Sequence, residues 1–130
     1  MSLSNQNGRA LESAYLLTFV ALAKLHNKNI VVDKNSSFYA AKTAWEATTE
    51  ETQMIFLKSA TAGLNAILEA EPMIFDGESD DLEVKIQPDQ AGQTGDVRDI
   101  LVIRSTLGWE IGLSVKNNHL QSNILGYQAS

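Results

Sequence analysis

Residues 95–116, GDVRDILVIRSTLGWEIGLSVK, decide how this chain is read. The run from Asp99 to Arg104 is almost wholly β-branched or aliphatic, the composition of a strand buried on both faces. Ser105 to Gly108 reads as a short glycine-containing turn. After it, Trp109, Ile111, Leu113 and Val115 alternate with Glu110, Gly112, Ser114 and Lys116, so the second strand has one apolar and one polar face. A turn that closes Arg104 onto Trp109 sets Asp99 opposite Ser114 and Val97 opposite Lys116, with facing Cβ atoms about 4.5–5.5 Å apart. One end of the hairpin therefore gathers an aspartate, a serine and a lysine. Glu110 shares a face with Lys116 but stands roughly 20 Å from it along a regular strand, too far to share a metal ion with Asp99. It reads as a structural group.

An aspartate at the start of one strand that faces an acidic-x-Lys triplet on the next is the signature of PD-(D/E)xK nucleases. NGRALESAYLL from Asn7, AAKTAW from Ala40 and GDVRDILVIRSTLGWEIGLSVKNNH from Gly95 resemble the HaeIII-type restriction endonucleases, and the likeness runs from Asn7 to His119. The resemblance implies an α/β (α+β) fold with a restriction-endonuclease-like core, N-terminal helices packed on a mixed sheet that contains an antiparallel β-meander. It also implies Mg²⁺-dependent hydrolysis of double-stranded DNA at a short GGCC-like site, by a homodimer if the cut is palindromic. A cognate DNA methyltransferase would belong to the same system without direct contact.

The same likeness assigns roles. Asp99 is a metal ligand, and Lys116 orients the attacking water and offsets charge on the phosphoryl oxygens. Ser114 stands where the superfamily usually has its second acid. Three sources for that acid remain open. Asp96 precedes Asp99 closely enough for a bulge at Val97 to deliver it. Glu12 lies on the helix before the sheet, from which such nucleases often draw a glutamate. A helix downstream would lie beyond residue 130. Without the likeness, Asp99 and Lys116 would form an ordinary cross-strand ion pair with Ser114 as filler. Asn117, Asn118 and His119 could meet DNA, though such a run after a strand is more often a turn.

Composition bounds the rest. At 130 residues and 44% apolar, the chain suits one domain over residues 1–130, and the likeness makes it the N-terminal part of a longer endonuclease. Residues 1–6 read as a disordered leader. A formal net charge of −6 argues against broad attraction to phosphates, so a DNA-binding surface must be local. The lack of cysteine removes disulfides and thiolate metal sites. No apolar run approaches the ~20 residues of a membrane span, which fits a cytoplasmic protein with no membrane partner.

Along the chain, Leu11, Tyr15, Leu22 and Leu25 recur at helical spacing from about Gly8, with Glu12, Leu16, Phe19 and Ala23 as a neighbouring row. A carboxylate at the margin of that apolar surface is favoured by the helix dipole or held by a partner. Residues 29–33 read as a short strand or an extended connection. Asn35 to Ser37 offer N-caps for a helix to about Glu46, with Tyr39, Ala40 and Trp45 in its core. Thr48 and Glu51 form a capping box for a helix that ends before Pro72, with Met54, Leu57, Ala60, Leu64 and Leu68 as its buried stripe. FDGESDDLE, with Asp76, Glu78, Asp80 and Asp81, lacks the ligand spacing of a calcium loop. Leu82 to Gln87 alternates as the strand before the hairpin, and Pro88-Asp89 sits in the loop after it.

Overall fold

A computed structural model describes residues 3–75, 81–88, 99–104, 107–115 and 127–129. Three helices, α1 (Leu3–Leu25), α2 (Ser36–Glu46) and α3 (Glu50–Ala70), precede most of the sheet. The strands are β1 (Ile30–Asp33), β2 (Leu82–Ile86), β3 (Ile100–Arg104), β4 (Trp109–Leu113) and β5 (Tyr127–Ala129). They form one five-stranded sheet in the order β1-β2-β3-β4-β5. β1 pairs parallel with β2, and β2 through β5 pair antiparallel, so the sheet is mixed and contains the expected meander.

The hairpin register is the one the turn chemistry implies: Arg104 faces Trp109, Val102 faces Ile111 and Ile100 faces Leu113. Gly108 takes φ +72°, a left-handed conformation that a side chain would strain, and its N–H donates to the Arg104 carbonyl at 3.0 Å. β2 alternates cleanly, with Leu82, Val84 and Ile86 buried and Glu83 and Lys85 half-buried. Buried Ile100, Val102, Ile111 and Leu113 continue that inner face, which joins the helices in one core.

α1 is the central helix and packs against both α2 and α3. Ala10, Ala14, Ala23, Ala41 and Ala60 have no exposed surface, and side chains this small let the helix axes approach closely. Its buried surface is wider than one stripe: Leu11, Tyr15, Leu16 and Phe19 are all core, and Ser13 and Thr18 are buried with them. Leu25, expected in the stripe, is 78% exposed because the helix ends there.

Three other expectations are corrected. Tyr39 is 52% exposed, and α2 buries Ser37, Ala41 and Ala44 instead. The α3 stripe is rotated: Phe56, Ala60, Gly63, Leu64 and Ile67 are buried, whereas Met54 is 60% exposed. A helical period fixes the spacing of a stripe but not its phase, which packing against α1 sets here. The N-cap of α3 is Thr49, whose hydroxyl accepts from the Thr52 N–H at 3.2 Å, one residue later than the Thr48 box.

Asn35 joins the two layers. Its Oδ1 accepts from the Phe38 N–H at 2.8 Å as the N-cap of α2, and its Nδ2 donates to the Ile86 carbonyl at the end of β2 at 2.9 Å. Asn35→Ala removes both bonds and should lower unfolding free energy by about 1–2 kcal/mol. Urea denaturation checks this, and a loss below about 0.5 kcal/mol would show the cap to be incidental.

Candidate active site

Asp99 sits where three strands meet at the open end of the hairpin. Its N–H donates to the Leu113 carbonyl of β4 at 2.8 Å, while its own carbonyl accepts from the Gln87 N–H beyond β2 at 2.8 Å. A regular strand residue turns both groups to the same neighbour. Asp99 divides them between two, so the backbone swivels just before β3 begins. The carboxylate is turned by the same swivel onto the chain leaving β4, where Oδ2 accepts from the Val115 N–H at 2.6 Å. A bond this short to an ionised acceptor is charge-assisted and holds the carboxylate in one orientation.

Ser114 precedes that N–H and is 6% exposed. The polar face of β4 is therefore covered at this end, since Gly112 is buried as well. Asp99, Ser114 and the Asn35-capped end of α2 share the edge of the sheet where β1, β2 and β4 finish and β3 starts.

Glu12 lies on α1, half-buried between buried Leu11 and Ser13. After α1 the chain reverses through Asn27, which takes φ 57°, with the Lys28 N–H reaching back to the Ala23 carbonyl at 2.9 Å. This is a left-handed helix cap of the Schellman type. β1 consequently runs back along α1. A helix rises about 1.5 Å per residue and a strand about 3.3 Å, so Leu25 to Glu12 and Asn29 to Asn35 each span about 20 Å.

Asp96 and Lys116 lie outside the described residues, as do Asp89, Asn117, Asn118, His119 and the acidic stretch 76–80. Among the described residues no group of three or more aspartate, glutamate or histidine side chains gathers at one point. The donor chemistry present still suits a hard cation. A carboxylate such as that of Asp99 is a hard oxygen donor with about four lone-pair positions, and oxygen ligands are what Mg²⁺ prefers. A full ligand set would draw on further acids.

Sequence reasoning brought out Asp99 and Ser114 but not the group that holds Asp99. That group is a backbone N–H, which no side-chain pattern announces. The second bond of Asn35 was equally hidden, although its capping role was plain.

The comparisons with known proteins converge on one family. The family model described as HaeIII restriction endonuclease matches residues 8–124, past His119 where the likeness in letters was expected to stop. A curated relative, the type II restriction enzyme HaeIII of Haemophilus aegyptius, is 45% identical over 116 residues. That alignment takes in 89% of this chain and 36% of the relative, so the chain spans little more than a third of that enzyme's length. No solved structure matches. With nearly the whole chain matched by the model and by the relative, the protein belongs to the HaeIII restriction endonuclease family.

Proposed function

We propose that this chain carries the hydrolytic centre of a type II restriction endonuclease that cuts double-stranded DNA with Mg²⁺ at a short GGCC-like site. The observation that supports it best is the Asp99 carboxylate fixed on the Val115 N–H at 2.6 Å, between Ser114 and Lys116 in sequence. Asp99 would hold the cation, with Asp96 or Glu12 as the second carboxylate and buried Ser114 as a neutral oxygen beside it. When bound, Mg²⁺ supplies a Lewis acid that polarises a phosphate oxygen and lowers the pKa of water. Hydrolysis forms a bond from the water oxygen to phosphorus and breaks the bond to a bridging backbone oxygen, which takes up a proton. Lys116 orients that water and offsets the charge growing on the phosphoryl oxygens.

The family's biology extends the reading to a cytoplasmic protein, to a symmetric pair for a palindromic cut, and to a cognate methyltransferase with no direct contact. Among the described residues no helix is long and apolar enough to cross a membrane. A second reading is favoured by the 36% coverage of the relative and by the net charge of −6: a catalytically incomplete nuclease-fold domain that binds DNA or protein.

Plasmid cleavage with Mg²⁺, comparing the wild type with Asp99→Ala and Lys116→Ala, separates the two. Cutting that both substitutions abolish supports the endonuclease. DNA binding without cutting supports the incomplete domain, and neither activity removes the endonuclease reading and leaves a protein-binding role for the domain.

A further inference from the structure

The outer face of the sheet, away from the helices, carries a cation that the nuclease signature does not include. Alternation on β2 turns Leu82, Val84 and Ile86 inward, so Glu83 and Lys85 point outward. Asp99 immediately precedes β3 and Ser114 immediately follows β4, so both stand at the edge of the sheet toward which Lys85 lies on β2. The register fixes their spacing. Lys85 pairs with Leu101 and the Gln87 N–H bonds the Asp99 carbonyl, which makes Lys85 the diagonal cross-strand neighbour of Asp99. Such neighbours lie about 7–8 Å apart, within reach of a long side chain.

On its other side Lys85 is paired in register with Asp33 of β1, yet the two side chains form no ion pair. Lys85 has no side-chain hydrogen bond or ion pair to any described residue. Half-buried Lys85, with none of its three donors committed among the described residues and one strand from a fixed carboxylate, suits an anion that arrives from outside. Lys34, exposed where β1 ends, adds a second cation at the same edge. In a chain of net charge −6, this is where a phosphate backbone would find local attraction.

We propose that Lys85 is a DNA-contacting residue of the same site, holding a phosphate of the cleaved strand from the β2 side while Asp99 works from the β3–β4 side. This rests on the endonuclease reading for its ligand but makes a separate claim about binding. It also differs from a solvated pair with Asp33, which would leave DNA affinity unchanged on removal of the lysine.

The test is fluorescence anisotropy of a labelled GGCC-containing duplex with this chain in Ca²⁺, over a series of salt concentrations, for wild type, Lys85→Gln, Lys85→Arg and the outer-helix control Lys58→Gln. Losing one phosphate contact should raise Kd about tenfold at low salt and flatten the slope of log K against log salt by about one unit. Lys85→Arg keeps the charge and should keep the wild-type slope, and Lys58→Gln should leave slope and Kd alone. Circular dichroism melts verify that each variant is folded. A Lys85→Gln protein with wild-type affinity and slope overturns the proposal, even if Mg²⁺ cleavage is present. A wild type that binds DNA by this signature without cutting it refutes the catalytic reading and leaves the Lys85 contact supported. No binding by the wild type overturns both.

Discussion

Asp99→Asn is expected to lower Mg²⁺-dependent cleavage by about a thousandfold while leaving the fold almost as stable as the wild type. The amide keeps an oxygen to accept the Val115 N–H, so the 2.6 Å contact persists in neutral form. The negative charge that would hold the cation is gone. Metal-assisted charge stabilisation contributes several kcal/mol, and at 1.36 kcal/mol per decade a loss of about 4 kcal/mol is about 10³ in rate. Asp99→Ala should match that loss and add a structural one. It orphans the Val115 N–H at a half-buried position, which costs about 1–2 kcal/mol. Single-turnover cleavage and urea denaturation on the two variants separate the effects. If Asp99→Asn cuts DNA at a wild-type rate, the carboxylate is only a strap for the end of β4.

Arg104→Ala should give the largest loss of stability, about 3–4 kcal/mol. The side chain is 1% exposed, its Nη1 donates to the Met73 carbonyl at 2.9 Å, and its guanidinium lies 5.8 Å from the centre of the Trp109 ring. Truncation opens a cavity beneath Trp109 and strands a carbonyl in the 3₁₀ turn Pro72–Ile74 that follows α3. Arg104→Met fills most of the volume, so it should lose less, about 1–2 kcal/mol. Urea midpoints with constant m-values check both. Equal losses would mean that the hydrogen bond and not the packing carries the residue's contribution. Because Arg104 is at the opposite end of β3 from Asp99, its variants should change stability more than the chemistry of cleavage.

These two residues mark what was legible in the letters. The Arg104–Trp109 register and the shared end of Asp99 and Ser114 follow from a turn glycine and a period of two, both local signals. The rotated stripe of α3 was not legible, because Met54 and Phe56 satisfy the same spacing and only the partner helix α1 chooses between them. The breadth of α1's buried surface was likewise set by two neighbouring helices. Asp99 stood out as an acid at the start of a strand, while the N–H that orients it depends on a backbone swivel that side-chain patterns do not encode. Lys85 escaped notice because an alternating strand with a lysine on its outer face looks like ordinary solvated surface until its register with Asp99 is known.

The parallel pairing of β1 with β2 governs the order in which the molecule assembles. β2 to β4 are joined by local reversals, whereas β1 must wait for α2 and α3 to be synthesised and laid down before its neighbour exists. Contacts between segments so distant along the chain are slow to form, and the meander with its nearby partners is the natural nucleus. Conservative substitutions in β1, such as Val32→Ala, should therefore speed unfolding and barely slow refolding, with the opposite signature at Val102.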